Sequence, residues 1–223
     1  MMEVVRCKTK EEAIKNAGKK LNELFLSHQH SPVLFLSSGG SSLELLDEVE
    51  EQYLSHNLTV GMLDERMNVD PEASNSSKFR KTSFFAKLEA KNILLVDIFK
   101  EGFTFREKYP QGKVIITQGV GADGHTAGVF PFPEDEKKFQ DLFEDKERLV
   151  VEYDAGGKTE YSSRVTVTMP FLRKVDHSVV YMVGEDKHDA LERVLAEEGT
   201  LHETPGRIVR EMRDATIFTD ILE

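Results

Sequence analysis

Cysteine is almost absent from this chain of 223 residues, which contains only Cys7. A single thiol cannot form an internal disulfide, so the sequence excludes a disulfide-rich scaffold and favours a reducing, cytoplasmic location. Long apolar runs are absent as well, and the charged segment 1–17 lacks the apolar core of a signal peptide. We therefore expect no membrane partner.

Positive charge is in short supply: 29 Lys and Arg residues stand against 40 Asp and Glu residues, for a formal net charge of −11. Such a surface repels the phosphate backbone, so we expect no nucleic-acid partner. A small anionic substrate stays compatible, because a few cations in a cleft create a local positive potential. The length and the 39% hydrophobic content predict one folded domain over residues 1–223.

Helical and strand-like segments alternate along the chain. Residues 11–28 have helical periodicity, and the apolar run 33–36 that follows is typical of a buried parallel strand. Further helices are predicted near 42–54, 77–89 and 185–198, with a loop and an exposed amphipathic helix within 132–146, and strands near 58–63, 92–96, 113–117, 148–153, 164–169, 178–183 and 215–219. This alternation predicts the α/β class: a single-domain, Rossmann-like, mainly parallel sheet with helices on both faces.

The first polar motif, Ser-Ser-Gly-Gly-Ser-Ser at residues 37–42, lies between a predicted strand and a predicted helix. Gly39 and Gly40 allow a phosphate to approach the backbone closely, while Ser41, Ser42 and free N–H groups can donate hydrogen bonds to it. Taken alone, the same residues also fit a plain turn with a serine cap.

The second motif, Asp64-Glu65-Arg66, follows the apolar residues 60–63. Its carboxylates and guanidinium can supply an acid, a base and an oxyanion clamp, although adjacent charges also form ordinary surface ion pairs.

The third motif surrounds His125, in a glycine-rich loop at 119–131 that also contains Asp123. Histidine transfers protons near neutral pH, and a neighbouring aspartate can orient its ring. A glycine-dense loop is a poor place for a core histidine, so we interpret His125 as functional.

Two isolated cations form the fourth motif. Arg164 opens a predicted strand, and Lys187 begins a predicted helix, where a bound anion would be favourable but a lysine alone is not. An exposed lysine is the simplest interpretation of Lys187 by itself.

Together, and in this order, the motifs resemble those of the 6-phosphogluconolactonase and glucosamine-6-phosphate isomerase/deaminase superfamily, from about Leu34 to Lys187. Residues 38–42 resemble its Ser-Gly-Gly-Ser-Thr phosphate loop, and residues 64–66 with Ser74-Asn75 resemble its Asp-Glu-Arg and Ser-Asn pair. Residues 123–127, closed by Phe130-Pro131, resemble its Asp-Gly-His-Thr-Ala-Ser-Leu-Phe-Pro signature, and residues 184–187 follow.

The resemblance implies a phosphosugar substrate, no metal and no redox cofactor. It assigns the phosphate to the loop of Gly39 and Gly40 with Ser41, Ser42, Arg164 and Lys187, and it places Asp64, Arg66, Asp123 and His125 around the reacting carbon. We therefore expect these side chains to converge on one cleft at the carboxyl ends of the parallel strands.

Two branches of the superfamily can be distinguished by their motifs. The deaminase branch has Asp-Glu-Tyr at the second motif and a glutamate shortly after the histidine. At the corresponding positions this chain has Arg66 and the apolar residues 128–131. The lactonase branch fits better and implies hydrolysis of 6-phosphogluconolactone in the pentose phosphate pathway. Glucosamine-6-phosphate deamination and a non-catalytic sugar-phosphate sensor are the alternatives. The chain departs from the family pattern at Ser42, Leu43, residues 68–70 and Gly128, which leaves the preferred phosphosugar open.

Overall fold

Two β-sheets organise the protein, for which a computed structural model describes residues 1–101 and 104–222. Within these ranges the strands are β1 (Met2–Arg6), β2 (Val33–Ser37), β3 (Leu58–Met62), β4 (Asp64–Arg66), β5 (Lys113–Gly119), β6 (Val150–Asp154), β7 (Ser163–Val167), β8 (His177–Tyr181) and β9 (Ala215–Thr219). Six of them form a parallel sheet in the order β1-β9-β8-β5-β2-β3. The other three form a small antiparallel sheet in the order β4-β7-β6.

Helices cover both faces of the parallel sheet. Those described are α1 (Lys10–Ser27), α2 (Asn75–Arg80), α3 (Ser83–Ala90), α4 (Ile98–Glu101), α5 (Phe105–Lys108), α6 (Glu136–Phe143), α7 (Met169–Leu172) and α8 (His188–Leu195). Successive strand side chains point to opposite faces. Phe35 therefore packs in the cluster that contains α1, whereas its neighbour Leu36 packs in the cluster that contains α8. The predicted α/β class and mainly parallel sheet are confirmed.

Some predicted elements differ from the structure. The helix expected near 42–54 is a 3₁₀ helix over Gly40–Glu48, followed by a short one at Glu51–Tyr53. The helix expected near 77–89 is divided into α2 and α3 because Thr82 caps the second of them: its side chain accepts a hydrogen bond from the Phe85 N–H. The helix expected over 185–198 is α8, which begins after a 3₁₀ turn at Glu185–Lys187.

Two strand predictions fail at the edges of the parallel sheet. The segment 92–96 contributes only one bridge, between Leu95 and Val60, rather than a strand. At the opposite edge, β1 was not predicted, because its residues are partly exposed and include two charges. It joins the sheet by pairing in parallel with β9. Among the helices within the described ranges, none is long and apolar enough to cross a membrane.

Asp176 links several segments at the amino end of the parallel sheet. Its carboxylate is buried and accepts hydrogen bonds from Arg106 (2.5 Å), the Val114 N–H (2.8 Å) and Arg213 (3.3 Å). Burial by itself raises the pKa of Asp176, but the hydrogen bonds from Val114 and Arg106 outweigh it, so the pKa lies below its ordinary value. The folded state therefore stabilises the ionised carboxylate.

We predict that Asp176→Asn lowers the free energy of unfolding at pH 7 by about 2–3 kcal/mol, because charge-assisted hydrogen bonds to a buried group are lost. Since the folded-state pKa is depressed, this stabilisation is present above the unfolded-state pKa of about 3.9 and is lost as the pH falls through the folded-state value. The difference from wild type should therefore shrink towards pH 3. Urea denaturation at both pH values measures it, with Asp189→Asn as the control because the Asp189 side chain is 86% exposed. Equal urea midpoints for Asp176→Asn and wild type at pH 7 would contradict the prediction.

Candidate active site

A cleft of about 290 Å³ opens at the carboxyl ends of β2 and β5. The chain continues from β2 to β3 on one side, whereas β5 lies on the other side of β2, so strand order reverses here. Open α/β sheets bind their ligands at such a reversal. Except for Ser42 and Asp123, all the site residues expected from the sequence line this cleft: Gly39, Gly40, Ser41, Asp64, Arg66, His125, Arg164 and Lys187.

The histidine loop orients one imidazole at the cleft. Nδ1 of His125 lies 2.5 Å from Oδ1 of Asp123, and the same oxygen accepts the His125 backbone N–H at 3.0 Å. Burial raises the pKa of Asp123, but the hydrogen bonds from His125 outweigh it, so the pKa lies below its ordinary value. An ionised Asp123 favours the tautomer with a proton on Nδ1, which leaves Nε2 of His125 free to accept a proton. Asp123 therefore reaches the site through His125 rather than by lining the cleft.

Glycine is required within this loop by the imidazole itself. A Cβ atom at Gly121 would overlap the ring of His125. The loop closes through hydrogen bonds between its own backbone groups, including Gly121 N–H to His125 O at 2.9 Å. The hydroxyl of Thr126 is buried and donates to Gln118 Oε1 or Gly119 O, which ties the loop to the end of β5. The loop is therefore held both by its own backbone and by the end of β5.

Asp64 is a buried carboxyl group beside the histidine loop. Its Oδ2 accepts a hydrogen bond from the amide of Asn75 at 3.0 Å and lies 3.3 Å from Nη1 of Arg164. Burial is the largest influence and raises the pKa of Asp64, against the opposing charge of Arg164. Gly128 makes room for this carboxyl group: its φ is +72°, and a Cβ atom there would lie 2.7 Å from Cβ of Asp64. Gly128, which departs from the family pattern, thus leaves the space that the Asp64 side chain occupies.

The antiparallel sheet brings the two arginines of the site together. Arg66 on β4 pairs in register with Arg164 on β7. Arg66 donates from Nη1 to Ala73 O at 2.8 Å, and its guanidinium lies 4.9 Å from the ring centroid of Tyr161. Within the described residues, the buried Nε of Arg66 has no hydrogen-bond partner. This Nε has almost no accessible surface, so it does not face a ligand in the cleft.

Glu65, between these charged residues, has a structural role. Its carboxylate accepts the N–H groups of Asn75 (2.6 Å) and Ser76 (2.8 Å) at the start of α2. This contact anchors α2 and places the Asn75 side chain in the cleft. Asn75 was noted in the Ser-Asn pair but was not among the expected site residues, and its amide contact to Asp64 depends on a fold that the spacing alone does not give.

The serine-glycine loop borders the cleft with its backbone and with exposed Ser41. Ser42 faces away: its hydroxyl is buried and donates to Gly39 O at 2.9 Å. In this structure the Ser42 hydroxyl therefore braces the loop from within, and its expected contact with a phosphate stays a prediction. Ser38, in contrast, has a buried hydroxyl with no partner among the described residues, and it lines the cleft.

Lys187 supplies an uncompensated charge. It lines the cleft, and within the described part of the chain it forms no ion pair. Burial is the largest influence on it and lowers the pKa of Lys187, although Asp186 and Asp220 oppose this. A bound anion would offset the cost of the half-buried ammonium. With the N–H groups of the serine-glycine loop, this cation makes the cleft suited to an anionic group.

Comparisons with known proteins agree with the resemblance predicted from the motifs. The sequence matches the family described as "Glucosamine-6-phosphate isomerases/6-phosphogluconolactonase" over residues 8–218. It is 28% identical over 176 residues to the 6-phosphogluconolactonase of Borreliella burgdorferi, covering 72% of this chain and 71% of that protein. It is 23% identical over 221 residues to the enzyme of the same name from Helicobacter pylori, covering 92% and 93%.

A solved structure shares the fold. The 6-phosphogluconolactonase from Trypanosoma brucei superposes with a TM-score of 0.78 at 18% identity, covering 98% of this chain and 96% of that one. The motifs converge on one cleft, and the family match extends over nearly the whole chain. The protein therefore belongs to the glucosamine-6-phosphate isomerase/6-phosphogluconolactonase family.

Proposed function

We propose that this protein hydrolyses 6-phosphogluconolactone to 6-phosphogluconate, in the pentose phosphate pathway of the cytoplasm. The observation that carries the proposal is that a base and an unpaired cation line the same cleft. The imidazole of His125, held by Asp123 at 2.5 Å, borders the same cavity as the unpaired ammonium of Lys187. The cleft therefore combines a group that can activate water with a group that can hold a phosphate. The relatives named 6-phosphogluconolactonase support this choice of substrate.

Hydrolysis begins with proton transfer to Nε2 of His125. The imidazole removes a proton from water as the water oxygen attacks the lactone carbonyl carbon, and Asp123 stabilises the imidazolium that forms. The tetrahedral intermediate then collapses, and the ring C–O bond of the ester breaks. The imidazolium returns its proton to the departing ring oxygen, which becomes a hydroxyl, and the carboxylic acid product ionises. His125 is thus regenerated in each turnover.

Other residues of the cleft stabilise charge and orient the lactone. Arg66, a permanent cation that lines the cleft, is suited to the oxyanion of the intermediate. Lys187, Ser41 and the N–H groups of Gly39 and Gly40 are suited to the phosphate. Arg164 already donates to Tyr161 O, Asp64 Oδ2 and Thr159 Oγ1, so only the remaining N–H groups of its two terminal nitrogens are left for the phosphate. Binding the phosphate at a distance from the carbonyl uses binding energy to orient the reacting bond.

Deamination of glucosamine 6-phosphate is the less suitable alternative, because this chain has no carboxylate at the position where the deaminase branch has its glutamate. After the histidine this chain has Gly128, Val129 and Phe130, and the latter two side chains are buried in the core. The sensor alternative is favoured only by the departures from the family motifs, whereas the base and its orienting carboxylate are both present. Parallel assays with glucosamine 6-phosphate for ammonia release, and with the lactone for binding without turnover, distinguish the three functions.

We predict that His125→Ala lowers the turnover number on fresh 6-phosphogluconolactone by about a hundred- to ten-thousandfold, while affinity for phosphorylated ligand changes little. The measurement is acid release with spontaneous hydrolysis subtracted. His56→Ala is the matched control, because His56 is exposed near the amino end of β3. Near-normal hydrolysis by His125→Ala would rule out this mechanism.

We predict that Lys187→Ala weakens binding of the phosphorylated product about ten- to a hundredfold, because a charge-assisted contact is removed. The lowered pKa of Lys187 means that wild-type affinity declines with rising pH earlier than for an ordinary lysine, whereas Lys187→Arg stays charged and loses this dependence. Calorimetric titration across alkaline pH measures both effects. The control is Lys174→Ala, an exposed lysine between α7 and β8. Unchanged affinity in Lys187→Ala would remove Lys187 from the phosphate site.

A further inference from the structure

Tyr153 lies beneath the candidate active site and has no part in the mechanism above. It belongs to β6, in which buried Val151 and Tyr153 alternate with exposed Glu152 and Asp154. Its ring contacts that of Phe143 edge-on within the core, at a centroid distance of 4.9 Å. The hydroxyl is the polar end of an otherwise apolar, buried side chain, and such a group requires hydrogen-bond partners.

The hydroxyl of Tyr153 bridges two peptide groups of the histidine loop. It donates to Gly128 O at 2.5 Å and accepts from the Phe130 N–H at 3.3 Å. Burial raises the pKa of Tyr153 above its ordinary value, so the hydroxyl keeps its proton at neutral pH. Tyr153 therefore acts as donor and acceptor at the same time, and it fixes the backbone on both sides of Val129.

The backbone here needs such support. Ala127 and Gly128 adopt successive left-handed conformations, with φ of +50° and +72°, and this conformation is unfavourable for alanine. The hydroxyl of Thr166 donates to Ala127 O, next to the carbonyl that Tyr153 binds. Side chains from β6 and β7 thus hold a segment whose conformation the local sequence disfavours.

The segment matters because of the ring that it carries. Phe130 stacks on the imidazole of His125, with a centroid distance of 4.6 Å and an interplanar angle of 23°. The same ring lies 5.3 Å from the guanidinium carbon of Arg164. Asp123 restrains the imidazole at Nδ1, and Phe130 supports its face. A displacement of Phe130 would therefore disturb the base and the neighbouring arginine together.

We propose that Tyr153 is a positioning residue for lactone hydrolysis: its hydroxyl fixes Phe130, and Phe130 in turn holds the imidazole of His125 in its reactive orientation. The proposal rests on the proposed function for the identity of the reaction. The orientation of His125, however, can be observed without turnover. The two ideas can therefore fail separately.

The first arm of the experiment is kinetic. Tyr153→Phe removes only the hydroxyl, and we expect the turnover number to fall about ten- to a hundredfold while KM changes less than about threefold, since misorientation of a base affects the chemical step. Tyr181→Phe is the matched control, because Tyr181 is also buried but its hydroxyl has no partner in the described chain. It should keep both parameters. Rates are expressed per folded protein, so a loss of stability alone does not change them.

The second arm is spectroscopic and independent of turnover. Because Phe130 stacks on His125, we expect its ring current to change the chemical shift of the imidazole protons of His125. The His125 signal is identified among those of the 7 histidines by its loss in His125→Ala. In Tyr153→Phe this displacement should decrease, while the signals of the other histidines stay in place. Phe130→Leu, which keeps an apolar side chain but removes the ring, should abolish the displacement and lower the turnover number as well.

The outcomes separate cleanly. A wild-type turnover number together with an unchanged His125 signal in Tyr153→Phe overturns the positioning role. An equal fall in Tyr181→Phe also overturns it, because the effect would not be specific to the bridge. If the wild-type protein does not hydrolyse the lactone, the proposed function fails, and the signal still decides on Tyr153: a change supports its hold on the ring, and no change overturns it.

Discussion

The parallel pairing of β2 with β5 sets the geometry on which the rest of the molecule depends. Ser37 and Thr117 are register partners at the ends of these strands, and their hydroxyls hydrogen-bond at 3.2 Å. The serine-glycine loop and the histidine loop therefore start side by side. A shift by one residue would turn the core side chains of either strand to the wrong face, so the register is fixed by burial. The packing of the core thus also sets the distance between a phosphate loop and a base.

The small antiparallel sheet has a different role, which is to bring charged residues to the cleft. Its pairing opposes Arg66 to Arg164 and buries Asp64 against Arg164. Buried ion pairs add little net stability, because desolvation consumes most of the attraction. At the cleft the ion pair has a positioning role, because Asp64 and Arg164 fix each other's orientation. This sheet is where the chain departs from a plain doubly wound design.

The carboxyl ends of parallel strands share one edge of a sheet, which accounts for the predicted meeting of the serine-glycine loop and the histidine loop. It does not account for Arg66 and Arg164, which meet through the antiparallel sheet. Side-chain direction was not predictable in the same way. The Ser42 hydroxyl can donate to a ligand or to its own loop. The geometry of the turn, which the sequence does not give, directs it to Gly39 O. The strand expected at 92–96 is limited by the left-handed conformation of Asn92 and by a single bridge at Leu95. Tyr153 gave no signal in the sequence beyond the alternation of its strand, since its contacts depend on the loop that it touches.

The desolvation of Lys187 works against the stability of the fold. Its ammonium is partly desolvated and unpaired within the described chain, as the lowered pKa reflects. Replacing it with an apolar residue of similar length would relieve that cost, so the most stable sequence for this fold is not the one that binds best. Lys187 thus lowers the stability of the fold while it favours the binding of an anion.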